Sequence, residues 1–255
     1  MPNIALITGA SAGIGREFAR LHAAKGGDLI ITARRADALD TLKSELEAAH
    51  QVNVTTIPLD LGATDGPQRL YEAIQGQRVD ILINNAGFGG HGNFIDRPLD
   101  ADLAMIDLNV KSLVALCHLI GRDMAARGGG KILNVSSTAS YMPGPLQATY
   151  FATKAFVSSF SQALAEELKD KNVTVTALEP GYVETEFAAT ANLEGTNLVK
   201  SGASPASVAS FGYQAMRQGS LRAINDPKLR FMLNWMIPLL PRKSVLGMVR
   251  KMQAK

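Results

Sequence analysis

The apolar run Ile4-Ala-Leu-Ile-Thr8 passes directly into Thr8-Gly-Ala-Ser-Ala-Gly-Ile-Gly15, and then into a stretch with Ile14, Phe18 and Leu21 on one helical face. A short apolar run with β-branched residues reads as a buried strand. A strand, a glycine-rich turn and a helix in that order are the context a dinucleotide fingerprint requires. Each glycine has a physical task. Gly9 permits the tight turn, Gly13 lets the backbone approach a pyrophosphate, and Gly15 lets the helix pack closely on the strand. The helix N-terminus adds free N–H groups and the positive end of its dipole, both suited to phosphates.

The same alternation continues along the chain. Strands are expected at 29–32, 52–59, 79–83, 131–136 and 173–178, with a short seventh at 220–225. Between them lie helical patterns: 38–49 with Asp37 as N-cap, a helix from Thr64, one or two over 98–126, a long one over 149–169, and one starting at Ser204-Pro205. Six or more strand–helix alternations predict a doubly wound parallel α/β sheet, a Rossmann fold of about seven strands with helices on both faces. At 255 residues and 46% hydrophobic, the chain suffices for one large domain, read here as 1–227. Residues 228–255 form a basic amphipathic tail packed on that domain or extending from it.

Composition narrows the classes further. The single Cys117 sits in an apolar helical run, which excludes an internal disulfide and predicts a buried structural thiol. The four His are scattered singly, so no metal site is expected. Seven of the 26 Lys/Arg, and none of the 23 Asp/Glu, fall within 228–255, so the rest of the chain is net acidic. A basic tail on an acidic body argues against nucleic-acid binding. The chain enters a strand pattern at once and has no run of about 18 apolar residues, so a soluble cytoplasmic protein is expected.

The end of the second strand bears on the cofactor. A site preferring NAD places an Asp or Glu there to bond the ribose 2′-hydroxyl. This chain has Ala33-Arg34-Arg35. Two guanidiniums suit a 2′-phosphate, which predicts NADP(H) over NAD(H). Asp60, at the third strand end, either accepts from the adenine amino group or caps the following loop. Asn84-Asn-Ala-Gly87 after the fourth strand suits a backbone held open beside a ligand, with amides bridging strands. Asn109 interrupts an apolar helical stretch and needs partners. Ser136 and Ser137 sit at the C-terminal end of the fifth strand, where open α/β sheets bind ligands. Tyr150 and Lys154 share one helical face, one turn apart. A nearby ammonium lowers a phenol's pKa from about 10, which makes the pair a usable general acid/base.

Together these motifs resemble the short-chain dehydrogenase/reductase family over residues 3–226, in its compact form. The resemblance implies the following roles. Tyr150 is the general acid in carbonyl reduction and the base in alcohol oxidation. Lys154 lowers its pKa and holds the nicotinamide ribose. Ser137, thirteen residues before the Tyr, bonds the substrate oxygen. Asn109 holds a water that links Lys154 to solvent. Cofactor contacts are implied for Gly9, Ser11, Gly13, Ile14, Gly15, Arg34, Arg35, Asp60, Asn85, Ala86 and Gly87, for Tyr150 and Lys154, and for Pro180, Gly181, Val183 and Thr185 flanking the nicotinamide. A homodimer or homotetramer through the helices near 102–126 and 149–169 is implied too. An NADP(H)-dependent oxidoreductase acting on a carbonyl or alcohol is the leading expectation. An epimerase or dehydratase on the same residues, or a silent NADPH-binding regulator, is the alternative.

Two segments lie outside the motifs. Residues 186–203 read as a mobile lid with a helical piece. In the tail, Val245, Leu246, Met248, Val249 and Met252 fall on one face among basic residues. Packing on the body, on a partner subunit or over the cleft is favoured there; contact with an anionic membrane surface is the other reading. Phe88, Tyr141, Met142, Tyr182, Phe187 and Leu193 on cleft loops point to an apolar, bulky carbonyl substrate.

Overall fold

A computed structural model describes residues 3–199 and 201–255. Met1 and Pro2, and Lys200 of the lid range, lie outside the described residues. Seven parallel strands form one sheet in the order β3-β2-β1-β4-β5-β6-β7. They are β1 (Ile4–Thr8), β2 (Asp28–Ala33), β3 (Val54–Pro58), β4 (Ile81–Asn84), β5 (Gly130–Val135), β6 (Val173–Leu178) and β7 (Arg222–Ala223). The intervening helices are α1 (Gly13–Ala23), α2 (Ala36–His50), α3 (Gly66–Ala73), α4 (Leu99–Ile106), α5 (Leu113–Ala126), α6 (Ala148–Glu167), α7 (Phe187–Thr190) and α8 (Pro205–Arg217). After β7 come α9 (Pro227–Phe231) and α10 (Arg242–Gln253).

The strand sequences explain why both faces are covered. Successive side chains point to opposite sides of the sheet. Leu6, Ile30, Leu82, Ile132 and Val175 join α3, α5 and α6 on one face. Ala5, Ile7, Leu29, Ile31, Ile83 and Leu133 join α1, α2 and α8 on the other. Strands buried on both sides therefore read as continuous apolar runs rather than alternating ones.

Several local details differ from the sequence reading. Asp37 lies in the first turn of α2, not at its N-cap, because the helix starts at Ala36 directly after Arg35. The third strand is shorter than 52–59. Residues 99–126 are one continuous helix, with a π-helical turn at Asp107–Ser112 joining α4 to α5. That helix is long and apolar enough to cross a membrane by length and composition alone. Yet Leu113, Leu116, Cys117, Ile120 and Met124 are built into the core. Cys117 is buried as expected, and burial pushes its thiol up to about 12.

The tail does not extend away. Leu233, Ile237, Val245 and Val249 form a third core with Ala139, Phe151 and Ile224, against which Tyr141, Met142 and Tyr150 pack. Segment 227–239 is helical throughout, with a π turn at Met232–Met236. That turn precedes Pro238, which has no N–H and clashes with the carbonyl four residues back.

Candidate active site

The C-terminal ends of β1, β2, β4, β5 and β6 open onto one cavity of about 790 Å³. This is where an open α/β sheet binds its ligands, at the crevice beyond the carboxyl ends of its strands.

One end of the cavity is a backbone cradle. Gly9 (φ 66°) and Gly13 (φ 55°) both sit in the left-handed region, which side chains avoid. A Cβ on Gly9 would lie 2.9 Å from the Cα of Ala86, and one on Gly13 would lie 3.0 Å from Thr185 Cγ2. Gly15 does not line the cavity; its missing Cβ lets α1 close against the Gly9 carbonyl and Asn85. The N-cap of α1, Ala12, makes no side-chain cap, so the first N–H groups of the helix face the cradle uncapped by its side chain. An anion-binding N-terminus with this approach fits a pyrophosphate.

Thr8, which sequence reasoning passed over, ties the cradle to the next strand. Its Oγ1 accepts from the N–H groups of Asn85 and Ala86, both at 2.9 Å. Asn85 Nδ2 donates to the Thr8 and Gly9 carbonyls at 3.0 and 3.2 Å. Asn85 thus shapes the turn with its side chain and lines the cavity. The preceding residue, Asn84, donates to Asn134 Oδ1 at 2.9 Å across β4 and β5, the strand-bridging amide expected from the motif.

Arg34 and Arg35 also line the cavity. Arg35 donates to Ser11 Oγ at 3.3 Å and pairs with Glu186 at 3.1 Å. No carboxylate stands between β2 and α2. Asp60 lines the same end, and its Oδ1 accepts from Gly62 N at 2.9 Å, which is the loop-capping role.

Tyr150, Lys154 and Ser137 all line the cavity. Residues 150 and 154 share one face of α6 because of the helical repeat. Ser137 Oγ accepts from Ala139 N at 3.1 Å and points toward the Pro180 carbonyl at 3.4 Å. Ser136 is engaged elsewhere, donating to the Lys154 carbonyl at 2.9 Å and bonding Ser158 at 2.8 Å. That division of labour separates the two serines. Lys154 Nζ is buried and donates to the Val135 carbonyl at 2.9 Å.

The Tyr–Lys electrostatics differ from the sequence reading. Burial pushes the Tyr150 phenol up to about 12, against a smaller downward pull from Ser137. Burial also draws Lys154 down to about 8. Its ammonium sits 5.7 Å from the Tyr150 ring centroid and is turned to Val135. Burial is the largest cause of both shifts, and it disfavours the charged form of each group. Phe187 from α7 adds to that enclosure, its ring 5.3 Å from that of Tyr150.

Asn109 does not line the cavity; the π turn buries it behind Gly87. Its Oδ1 accepts from Phe88 N at 3.1 Å, and its Nδ2 donates to Phe88 O at 3.0 Å and Thr153 Oγ1 at 3.2 Å. A Cβ on Gly87 would stand 2.9 Å from Asn109 Oδ1 and 3.6 Å from Lys154 Nζ. Ile14, Ala86, Pro180, Gly181, Val183 and Thr185 all line the cavity.

A second polar assembly supports the wall from behind. Glu179 is fully buried after β6 and pairs with Arg222 of β7 at 2.9 Å. It also accepts from Ser158 at 2.6 Å and from Tyr141 at 2.9 Å. The Tyr141 phenol is held well above its usual range by burial and by this carboxylate. Glu179 directly follows a strand in the sequence, but its partner Arg222 lies far along the chain, so spacing alone gave no sign of the pair.

Comparison with known proteins assigns the class. The profile of the short chain dehydrogenases matches residues 3–195. The chain belongs to the short-chain dehydrogenase/reductase family. It is 36% identical over 188 residues to the very-long-chain 3-oxoacyl-CoA reductase of Bos taurus, a match covering 72% of this chain and 60% of that protein. Among solved structures, a short-chain dehydrogenase from Sphingobium yanoikuyae in complex with NADPH aligns over 100% of this chain and 99% of its own, with TM-score 0.86 and 27% identity. The bulky-bulky ketone specific alcohol dehydrogenase from Comamonas testosteroni aligns over 100% and 97%, with TM-score 0.80 and 26% identity.

Proposed function

We propose that this protein is an NADP(H)-dependent oxidoreductase that interconverts an apolar, bulky carbonyl compound and its alcohol. The observation that carries this reading is the convergence of Ser137, Tyr150 and Lys154 on the cavity that also holds the glycine cradle and both arginines.

The cradle of Gly9, Ser11, Gly13 and Ile14 would hold the pyrophosphate, and Arg34 and Arg35 the 2′-phosphate. Pro180, Gly181, Val183 and Thr185 would flank the nicotinamide, with Asn85, Ala86 and Gly87 on the neighbouring strand end. A bound nicotinamide supplies the hydride. The protein's own residues do the remaining work. Ser137 Oγ donates a hydrogen bond to the substrate oxygen. Tyr150 Oη delivers the proton to that oxygen as negative charge develops there. A phenol raised to about 12 is protonated at neutral pH and so stands in its proton-donor form. Lys154 would hold the ribose of a bound cofactor and return a proton to Tyr150. Asn109 positions the 87–88 backbone beside Lys154, where a water would connect the relay to solvent.

The far wall of the cavity is apolar, with Met142, Phe151, Leu193, Leu229, Met232 and Leu233 among its residues. Such a wall suits a bulky ketone, and the name of the bovine relative makes long-chain 3-oxoacyl thioesters the first class to try. Assembly as a homodimer or homotetramer fits the exposed Leu99, Leu103 and Phe156 on α4 and α6. The decisive experiment is a panel of aldehydes, ketones and 3-oxoacyl thioesters, followed by oxidation of NADPH and of NADH. Turnover of long or bulky ketones with NADPH is expected. Equal or better kcat/KM with NADH would overturn the cofactor assignment. NADPH binding with no turnover across the panel would overturn the activity.

A further inference from the structure

The C-terminal segment is apolar on two faces, and only one of them is packed. Leu233, Ile237, Val245 and Val249 turn inward and are buried. Between and beside them, Phe231, Trp235, Met236 and Leu239 face outward at 60%, 68%, 53% and 84% exposure. Single exposed apolar residues are ordinary, but four within nine positions, one of them Trp, are not. A helical segment apolar on both sides has a second medium to meet. This also relocates the face read from sequence. Val245 and Val249 belong to the core, and the outward apolar ridge is residues 231–240.

Charge identifies that medium. Lys228, Arg230, Arg242 and Lys243 are all exposed on or beside the ridge, and no Asp or Glu follows Asp226. A second copy packed symmetrically on this face would set like charges against each other. A lipid surface has no such conflict, and it needs no shaped groove. Trp and Leu insert at headgroup level while Lys and Arg meet anionic headgroups.

We propose that residues 228–243 dock the protein on the surface of an anionic phospholipid bilayer. The same segment carries cavity-lining residues on its inner side, Leu229, Met232, Leu233 and Ile237. It therefore stands between the bilayer and the site, and apolar substrates dissolved in lipid are brought to the cavity wall. The docking surface goes beyond the reading of the active site and stands whether or not that reading holds.

Trp235 is the only Trp in the chain, so its fluorescence reports on this face alone. The full chain is titrated with vesicles of pure phosphatidylcholine and with vesicles containing about one-third phosphatidylserine, a fraction that gives a surface potential of tens of millivolts. With the anionic vesicles, Trp235 emission should shift to shorter wavelength and the protein should co-sediment, at least about tenfold more than with phosphatidylcholine. Raising salt well above ~0.1 M should weaken this binding, since the Debye length shrinks. Leu239→Asp should abolish sedimentation while thermal unfolding and NADPH binding stay as in the wild type. Unchanged Trp235 emission and no sedimentation with either vesicle overturn the proposal. Equal binding to both vesicles overturns its electrostatic part. A concentration-dependent dimer lost in Leu239→Asp makes a second copy the occupant and overturns it too.

Discussion

The two ends of the cavity are made of different materials. At the cofactor end the recognition surface is backbone: glycines at positive φ, an uncapped helix N-terminus, and a strand end pinned by Thr8 and Asn85. At the tail end the surface is side chain, largely Met and Leu from 229–252. Backbone N–H groups held at fixed positions specify one ligand geometry. Flexible thioethers and aliphatics specify volume and polarity, and adapt to many shapes. The first kind of surface is rigid and the second adaptable. Tyr150 stands where they meet, its ring 5.3 Å from that of Phe187 and its helix neighbour Lys154 reaching back to β5.

The sharpest test of that boundary is Tyr150→Phe. It should lower kcat by about 10²–10⁴-fold, the usual worth of a general acid. The Kd for NADPH should stay within twofold of wild type, roughly, because the cradle is untouched. A variant that kept wild-type kcat would place the proton donor elsewhere. Next in size is the double substitution Arg34→Ala with Arg35→Ala. Loss of charged hydrogen bonds of about 1.5–3 kcal/mol should weaken NADPH binding some 10- to 100-fold and leave NADH unchanged. Equal weakening of both cofactors would mean the arginines shape the cradle and do not read the 2′-phosphate.

Lys154 gives the comparison a pH signature. Its ammonium, drawn down to about 8, is present below that pH and lost above it. If the charged form supports proton delivery, kcat/KM for reduction should fall about tenfold per unit above pH 8. A profile flat from pH 7 to 10 would remove Lys154 from the relay. The tail end should respond differently. Leu233→Ala removes a buried wall residue of the third core. Stability should fall by about 2–4 kcal/mol, and the preference for long over short ketones by about fivefold to tenfold. NADPH affinity should not move; a change there would show that the two ends are mechanically coupled.

How much of this was legible in the chain follows the same division. The strands, the cradle and the Ser137–Tyr150–Lys154 cluster depend on local periodicity and on motifs with fixed local geometry, and the structure brings them together at one cavity. What depends on contacts between distant residues was not legible. Spacing could not pair Glu179 with Arg222, nor show that Asn109 faces Phe88 through a π turn. It also put the tail's apolar face at 245–252, because amphipathic spacing names a stripe without saying which side is packed. The Tyr–Lys pairing was visible, but its electrostatics were not, since the sign of a pKa shift depends on burial.

The smallest expected effect falls on an ion pair at the cofactor end. Glu186, the residue before α7, reaches across to Arg35 at 3.1 Å, and both side chains are exposed. A carboxylate on the guanidinium that would read the 2′-phosphate competes with that phosphate. An exposed pair is worth at most about 1 kcal/mol, so Glu186→Gln should tighten NADPH binding only about two- to fivefold. NADH binding should stay the same, and the gain should fade as salt screens the pair. Were Glu186→Gln instead to weaken NADPH, Glu186 would be the residue that aims Arg35 at the phosphate. Glu186 would then contribute to cofactor selection rather than oppose it.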